Sequence, residues 1–436
     1  MKTFRKLKTF LALWLTQSFS ALGSAMTNFA LVIWLYGRTG SALTTALLTV
    51  CSYAPYVLVS IFAGAVTDRW NKKRVLLVCD ALAAVCTVWV WVLLRTAQLE
   101  AWHLYALNAL NGLMNTVQSP AADVAVTLVT PKEYYQKTSG LRSLSNSLVT
   151  ILTPVFATAL VTLAGVESVI LFDLLTFGAA FLSLLFFISI PETEKPAEKK
   201  EGIFASAKAG LSWLRQNPGI LWLILFLAAI NLIASVYNAA LPALVLPRPF
   251  GGEKVLGILN TSTGIATLAG SLLVTLLPTP KNRVKVICNT LLLSMSTENF
   301  LLSLGRSPWV WYLGSVLGWL VIPLMNANLD VVMRGSIPTE MQGRVYSVRN
   351  SLQFFTIPLG YLLGGALVDH VFEPLMAKTA SPLLTGLFGM GKGSGAAMLF
   401  MIIGFAGVAV CLVFRNIRHI RALAQQTPAQ ACKEEA

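Results

Sequence analysis

Gly64-Ala65-Val66-Thr67-Asp68-Arg69-Trp70-Asn71-Lys72-Lys73-Arg74-Val75 is a short polar stretch between two long apolar ones. Residues 43–66 precede it and residues 75–94 follow it, each close to the roughly 20 apolar residues that a helix needs to cross a bilayer. Four basic residues in six positions (Arg69, Lys72, Lys73 and Arg74) make the joint a membrane hairpin whose turn stays on the cytoplasmic side. Gly64 allows close approach of a neighbouring helix. Asp68 is a carboxylate suited to the N–H groups at a helix amino end.

The same pattern runs outward in both directions. Apolar runs cover about 10–36, 43–66, 75–94, 103–129, 143–165 and 167–190, then 219–244, 255–277, 284–304, 309–332, 346–368 and 396–414. These are spans 1 to 12. They are continuous rather than alternating, which excludes a transmembrane β-barrel. The whole chain of 436 residues is 56% hydrophobic and 12% charged. That charge content is about half that of a soluble domain, and it excludes both a water-soluble enzyme and a disordered chain. The net charge of +14 does not indicate a nucleic-acid partner, because the charges lie in clusters between apolar runs. With the amino terminus inside, 26 of the 33 Lys and Arg residues fall on the cytoplasmic side. Seven stay outside: Arg38, Arg95, Arg248, Lys254, Arg306, Lys378 and Lys392. This places both termini in the cytoplasm and supports an even number of spans. Residues 1–36 imitate a signal peptide, but the apolar run is too long for one and reads as an uncleaved first span.

The longest internal polar segment, 191–218, separates six spans from six. The expected domains are an amino-terminal six-helix bundle (1–190), a cytoplasmic linker with an amphipathic helix (191–218), and a carboxy-terminal six-helix bundle with a tail (219–436). The halves are related. At an offset of 207 residues Asp123 falls on Asp330, Pro131 on Pro338, Glu133 on Glu340 and Arg142 on Arg349. Parallel repeats of this kind are a transporter architecture.

Polar residues inside a membrane face a bundle interior or a water-filled path, or they bond neighbouring helices. Span 4 carries Asn108, Asn111, Asn115 and Gln118, and span 1 carries Gln17, Ser20, Ser24 and Thr27, each at spacings of 3, 4 and 3. That spacing is a single helical stripe. Span 7 adds Asn231, Ser235 and Asn238, and span 10 adds Asn326, Asn328 and Asp330. Together the four stripes point to a shared aqueous path and to a largely uncharged or amphipathic cargo. Each residue taken alone is equally suited to joining helices. Glu298 is the deepest acid, with no basic residue in its span, and is the candidate for carrying a proton. Structural bonding to a neighbouring helix is the alternative. No catalytic, cofactor or metal motif is present. The three histidines are scattered, and Gly386 to Gly393 lacks the Ser or Thr that ends a phosphate-binding loop. The chain is therefore expected not to be an enzyme, and to draw on an ion gradient or its cargo's own.

The stretch from Gly64 to Val75 resembles the loop signature of the major facilitator superfamily, roughly Gly-x-x-x-Asp-Arg-x-Gly-Arg-Lys. Here Asn71 replaces the second glycine and Lys72 the first base after it. Lys281-Asn282-Arg283-Val284 is a degenerate copy in the second half. Phe29 to Tyr36 followed by Thr39-Gly40-Ser41-Ala42, Trp213 to Pro218, and Ile337 to Val345 resemble the macrolide-efflux branch. Thr153-Pro154-Val155-Phe156-Ala157 departs from the glycine-flanked proline of many drug–proton antiporters. The resemblance covers nearly the whole chain. It implies an all-α integral membrane protein whose two pseudo-symmetric six-helix bundles rock about a central cavity. It further implies that Gly64, Asp68 and Lys72, with Arg69 and Arg74, form a cytoplasmic latch. Asp123 is placed to pair with that loop or with Arg142, and Asp330 with Arg344 or Arg349. The expected activity is secondary active transport by alternating access. The expected cargo is a drug-like or amphipathic, macrolide-like small molecule, exported from the cell by a proton-coupled monomer of the plasma membrane. Export of a siderophore-like or lipid-like metabolite, or uptake of a small nutrient, is the alternative.

Overall fold

The computed structural model describes residues 7–69, 71–131, 134–191, 203–278, 280–379 and 381–423. Within these, the side chains of 60–69, 203–207 and 275 and of several residues in 135–143 and 334–347 also lie outside the described set. The described residues are helical nearly throughout. Span 1 is Lys8–Thr39, span 2 Ala42–Arg69, span 3 Lys72–Arg95 and span 4 Ala101–Val129. Spans 5 and 6 form one helical run, Tyr135–Phe186, broken at Gly165, whose φ of 78° and ψ of 173° are not helical. Span 7 is Pro218–Val245, span 8 Glu253–Leu276 and span 9 Arg283–Leu304. Span 10 is Pro308–Leu320 continued by Ile322–Ser336, and span 12 is Ser394–Asn416.

Among the described residues nine helices are long and apolar enough to cross a membrane. Spans 4 and 9 are not among them, although they have 29 and 22 residues. Both carry candidate site residues, Asn108 to Gln118 on span 4 and Glu298 on span 9, whose amides and acid lower the hydropathy of these helices. With these two, and with the run across Gly165 counted as two, the described helices match the twelve expected spans in order.

Local chemistry sets the helix ends. Asn71 caps span 3 by accepting from the Arg74 N–H at 3.1 Å, and Asn282 caps span 9 by accepting from the Lys285 N–H at 2.9 Å. The residue that departs from the family loop pattern is thus a helix cap, repeated in the other half. Span 11 runs past its expected end at 368. From Thr339–Ala366 it continues through a wide turn, Leu367–Phe372, into Glu373–Lys378. The extension carries Asp369, whose carboxylate accepts from the N–H groups of Ala42 (3.0 Å) and Leu43 (2.8 Å). A carboxylate at a helix amino end suits the helix dipole. The linker helix is Ile203–Gln216, with Leu214 fully buried.

The chain forms two compact units. Residues 1–40 and 47–199 make the first, and Ser41–Ala46 with residues 200–436 make the second. In the first, span 1 packs along the run of spans 5 and 6, and span 3 packs on span 4 and that same run. In the second, span 7 packs on spans 11 and 12, and span 9 on spans 10 and 12. In the first unit, one apolar cluster gathers Leu13, Leu76, Leu184 and Ile188, and another gathers Leu31, Leu35, Leu104 and Ile170. The polar stripe of span 1, from Gln17 to Thr27, lies between the residues that span contributes to these two clusters.

Candidate functional site: a polar cavity in the first unit

The stripes of spans 1 and 4 converge. Gln17, Ser20, Ser24 and Thr27 share one cavity of about 310 Å³ with Asn108, Asn111, Asn115 and Gln118. All eight are at the spacings that the sequence shows. Such a volume is at the small end of ligand sites. Spans 3 and 6 add Thr87, Phe177 and two acids, Asp80 and Asp173.

Both carboxylates are buried, at 7% and 4% exposure. Gln118 donates to Asp80 Oδ1 at 2.7 Å, and the Ser24 hydroxyl donates to Asp173 Oδ1 at 3.0 Å. Gly23 makes the second contact possible: a Cβ there would lie 2.5 Å from Thr176 Oγ1 and 2.9 Å from Asp173 Cα. Only glycine lets span 6 come this close to span 1. The cavity wall is not self-satisfied. Asp80 Oδ2, Gln17 Nε2 and Thr27 Oγ1 are buried and lack a hydrogen-bond partner among the described residues. No Lys, Arg or His is among the residues lining the cavity.

The second unit is arranged differently. Asn231 donates to Gln353 O (2.8 Å) and Thr356 Oγ1 (2.9 Å), joining span 7 to span 11. Ser235 is buried and donates to its own helix at Asn231 O, and Asn238 does likewise to Ala234 O. Asn326 is exposed, while Asn328 is buried and accepts from Arg283 at 3.3 Å. Glu298 is 4% exposed. Its Oε1 accepts from Tyr237 Oη at 2.7 Å and from Trp319 Nε1 at 2.8 Å. Gly318 packs against the same carboxylate.

Of the expected latch, Lys72 is buried and Arg74 exposed, while the side chains of Gly64, Asp68 and Arg69 lie outside the described residues. Asp123 pairs with Arg142, both well exposed. Asp330 forms no ion pair among the described residues, Arg349 Nε is buried without a partner, and the Arg344 side chain lies outside them.

The sequence analysis names neither Asp80 nor Asp173 among the site residues. The structure puts both in the cavity. The signal was present on span 3, where Asp80, Ala83 and Thr87 recur at helical spacing on an otherwise apolar segment.

Residues 13–361 match the family model of the Major Facilitator Superfamily. The chain belongs to that superfamily. Macrolide efflux protein A of Streptococcus pyogenes is 22% identical over 371 residues, covering 84% of this chain and 90% of that protein. The enterobactin exporter EntS of Escherichia coli O9:H4 (strain HS) is 23% identical over 378 residues, 84% of this chain and 81% of its own. Among solved structures, the nucleoside transporter NupG superposes with a TM-score of 0.66 at 12% identity, covering 93% of this chain and 98% of that one. The protein is thus a multi-pass membrane transporter of this fold, set in a lipid bilayer and acting on small molecules.

Proposed function

We propose that this transporter is an efflux pump for a drug-like or amphipathic small molecule, working by alternating access and coupled to protons. The observation that carries the reading is the convergence of two polar stripes on one ligand-sized cavity in the first unit. Neutral amides and hydroxyls grip a cargo without binding it so tightly that release fails. The likeness to macrolide efflux protein A supports export, and the likeness to EntS supports the second reading, export of a siderophore-like metabolite. The proposed location is the plasma membrane, with both termini cytoplasmic and a monomer as the working unit. In the same reading Gly64, Asp68, Arg69, Lys72 and Arg74 form the cytoplasmic latch. Asp123 with Arg142, and Asp330 with Arg344 or Arg349, act beside it. Asn231, Ser235, Asn238 and Asn326 are the candidate cargo residues of the second unit. Glu298 is the proton-coupling group of that unit.

The test has two arms. Expression in a strain lacking its own pumps should raise tolerance to part of a drug panel that includes macrolides. No change across the panel contradicts drug efflux. In proteoliposomes, an imposed pH gradient should drive the transported drug, and Glu298→Gln should abolish that response while leaving folding intact. Gln keeps an acceptor oxygen for Tyr237 and Trp319 and removes only the titration. An unchanged response in Glu298→Gln removes Glu298 from the coupling step.

A further inference from the structure

We infer that the cavity of the first unit binds an organic cation, an amphipathic molecule whose fixed positive charge is held by Asp80 and Asp173. The inference rests on the transporter reading and names the substrate class of the same cavity. It also replaces the uncharged cargo that the amide stripes alone suggested.

Four observations carry it. The first is the charge of the wall. Two carboxylates more than nine-tenths buried line the cavity, and no basic side chain faces them there. The side chains that approach them are neutral: Gln118 and Gln17 at Asp80, and Ser24 and Thr27 at Asp173. A buried carboxylate without a counter-charge is costly, and a cationic ligand removes that cost where a neutral one does not. An anion meets repulsion from both.

The second is the unfilled bonding capacity. Asp80 Oδ2 and Thr27 Oγ1 are buried, lack partners, and belong to residues of the cavity wall. Thr27 is 7% exposed and lies beside Asp173. Native interiors leave few such atoms unpaired, and those left at a cavity are places where a ligand bonds.

The third is the spacing of the acids. Gln17 approaches Asp80, and Ser24 bonds Asp173. Those two residues are seven positions apart on span 1, which is about 10 Å at 1.5 Å per residue. One bare metal ion cannot bind both carboxylates at that separation. Nor do three His, Cys, Asp or Glu side chains converge as a metal site anywhere among the described residues. An extended molecule in a cavity of about 310 Å³ does reach both.

The fourth is the rest of the lining. Phe177 follows Asp173 by one helical turn and stands at the wall. An aromatic face beside a carboxylate is a pairing that suits ammonium groups. Leu31, Val90, Leu107 and Met114 supply an apolar surface for the ligand's body.

The test is equilibrium binding to the purified full-length protein in lipid nanodiscs, with three permanently charged probes: ethidium, tetraphenylphosphonium and a quaternary alkylammonium. At least one should bind saturably. The double variant Asp80→Asn with Asp173→Asn should weaken that binding by at least about tenfold, and Asp80→Glu with Asp173→Glu should restore part of it. Saturable binding by none of the three, or unchanged affinity in the Asn variant, overturns the proposal. Asn115→Cys, made without the native cysteines, keeps the test open if the Asn variant fails to fold. Bound probe should slow its reaction with a water-soluble thiol reagent. A rate that the probe leaves unchanged, or no reaction at all, also overturns the proposal. Failure here is separable from failure of the efflux reading. Export of a neutral drug without cation binding would sink this site alone. Cation binding without any efflux would sink the pump reading and leave the site.

Discussion

Asp80 and Glu298 are both carboxylates buried within membrane spans, at 7% and 4% exposure, and their surroundings differ in kind. Glu298 accepts from Tyr237 and Trp319 on one oxygen, with Gly318 packed against the carboxylate. Asp80 has one donor, Gln118, a second oxygen without a partner, and a cavity of about 310 Å³ beside it. Burial therefore does not identify a ligand group in a membrane protein. What separates the two acids is whether the protein has already met their hydrogen bonds and whether room remains next to them.

The sharpest way to break this comparison is to delete each carboxylate and measure unfolding. Glu298→Ala leaves the Tyr237 hydroxyl and the Trp319 N–H without their acceptor. It should cost about 2–5 kcal/mol, read as a lower thermal midpoint in detergent. Asp80→Ala removes a group that is only partly satisfied beside open space, and should change stability by less than about 1 kcal/mol. Equal losses in the two variants would mean that the hydrogen bonds of Asp80 are met as fully as those of Glu298.

Most of the fold was readable because it follows from one strong term, the cost of placing polar backbone and charge in hydrocarbon. The apolar runs and the polar stripes on spans 1 and 4 both derive from it. The observed helices follow the expected runs closely, for example 218–245 against 219–244. What escaped was set by contacts between helices. Asp80 and Asp173 stand alone on apolar spans, and nothing local shows that Gln118 and Ser24 turn toward them. Asn231 has the spacing of a cavity residue, yet it bonds span 11. Its partners, Gln353 and Thr356, lie more than 120 residues away. Span 11 outran its expected end because its apolar segment is followed by Asp369, which bonds the start of span 2 instead of breaking the helix.

A smaller effect is expected where the cavity is held open. Gly23→Val would drive side-chain atoms into Thr176 and Asp173, pushing span 6 away from span 1. Overpacking of this kind costs about 1–3 kcal/mol. The variant should also lose affinity for a cationic probe, whereas the same substitution at Gly37, where a Cβ meets no atom within 4 Å, should not. Matching affinities in the two variants would show that the Ser24–Asp173 contact does not shape the site.

The smallest stability effect belongs to the exposed pair. Asp123→Asn removes an ion pair whose side chains are 58% and 45% exposed, for Asp123 and Arg142 respectively. It should lower stability by less than about 1 kcal/mol, and by less again at high salt. A gating role predicts that the transport rate falls while the thermal midpoint stays, and an unchanged rate removes the pair from the gate.

Site-directed thiol labelling of span 4 in a cysteine-free background tests the account most directly. Cysteines at 108, 111, 115 and 118 should react with a membrane-impermeant, water-soluble reagent. Cysteines at 109, 110 and 113 should not, and neither should one at Ser294, buried beside Glu298's helix turn at 2% exposure. Reaction confined to the four-residue stripe is the result predicted for a water-filled cavity in the first unit. Uniform protection along span 4, or reaction at Ser294→Cys equal to that of the stripe, would contradict it.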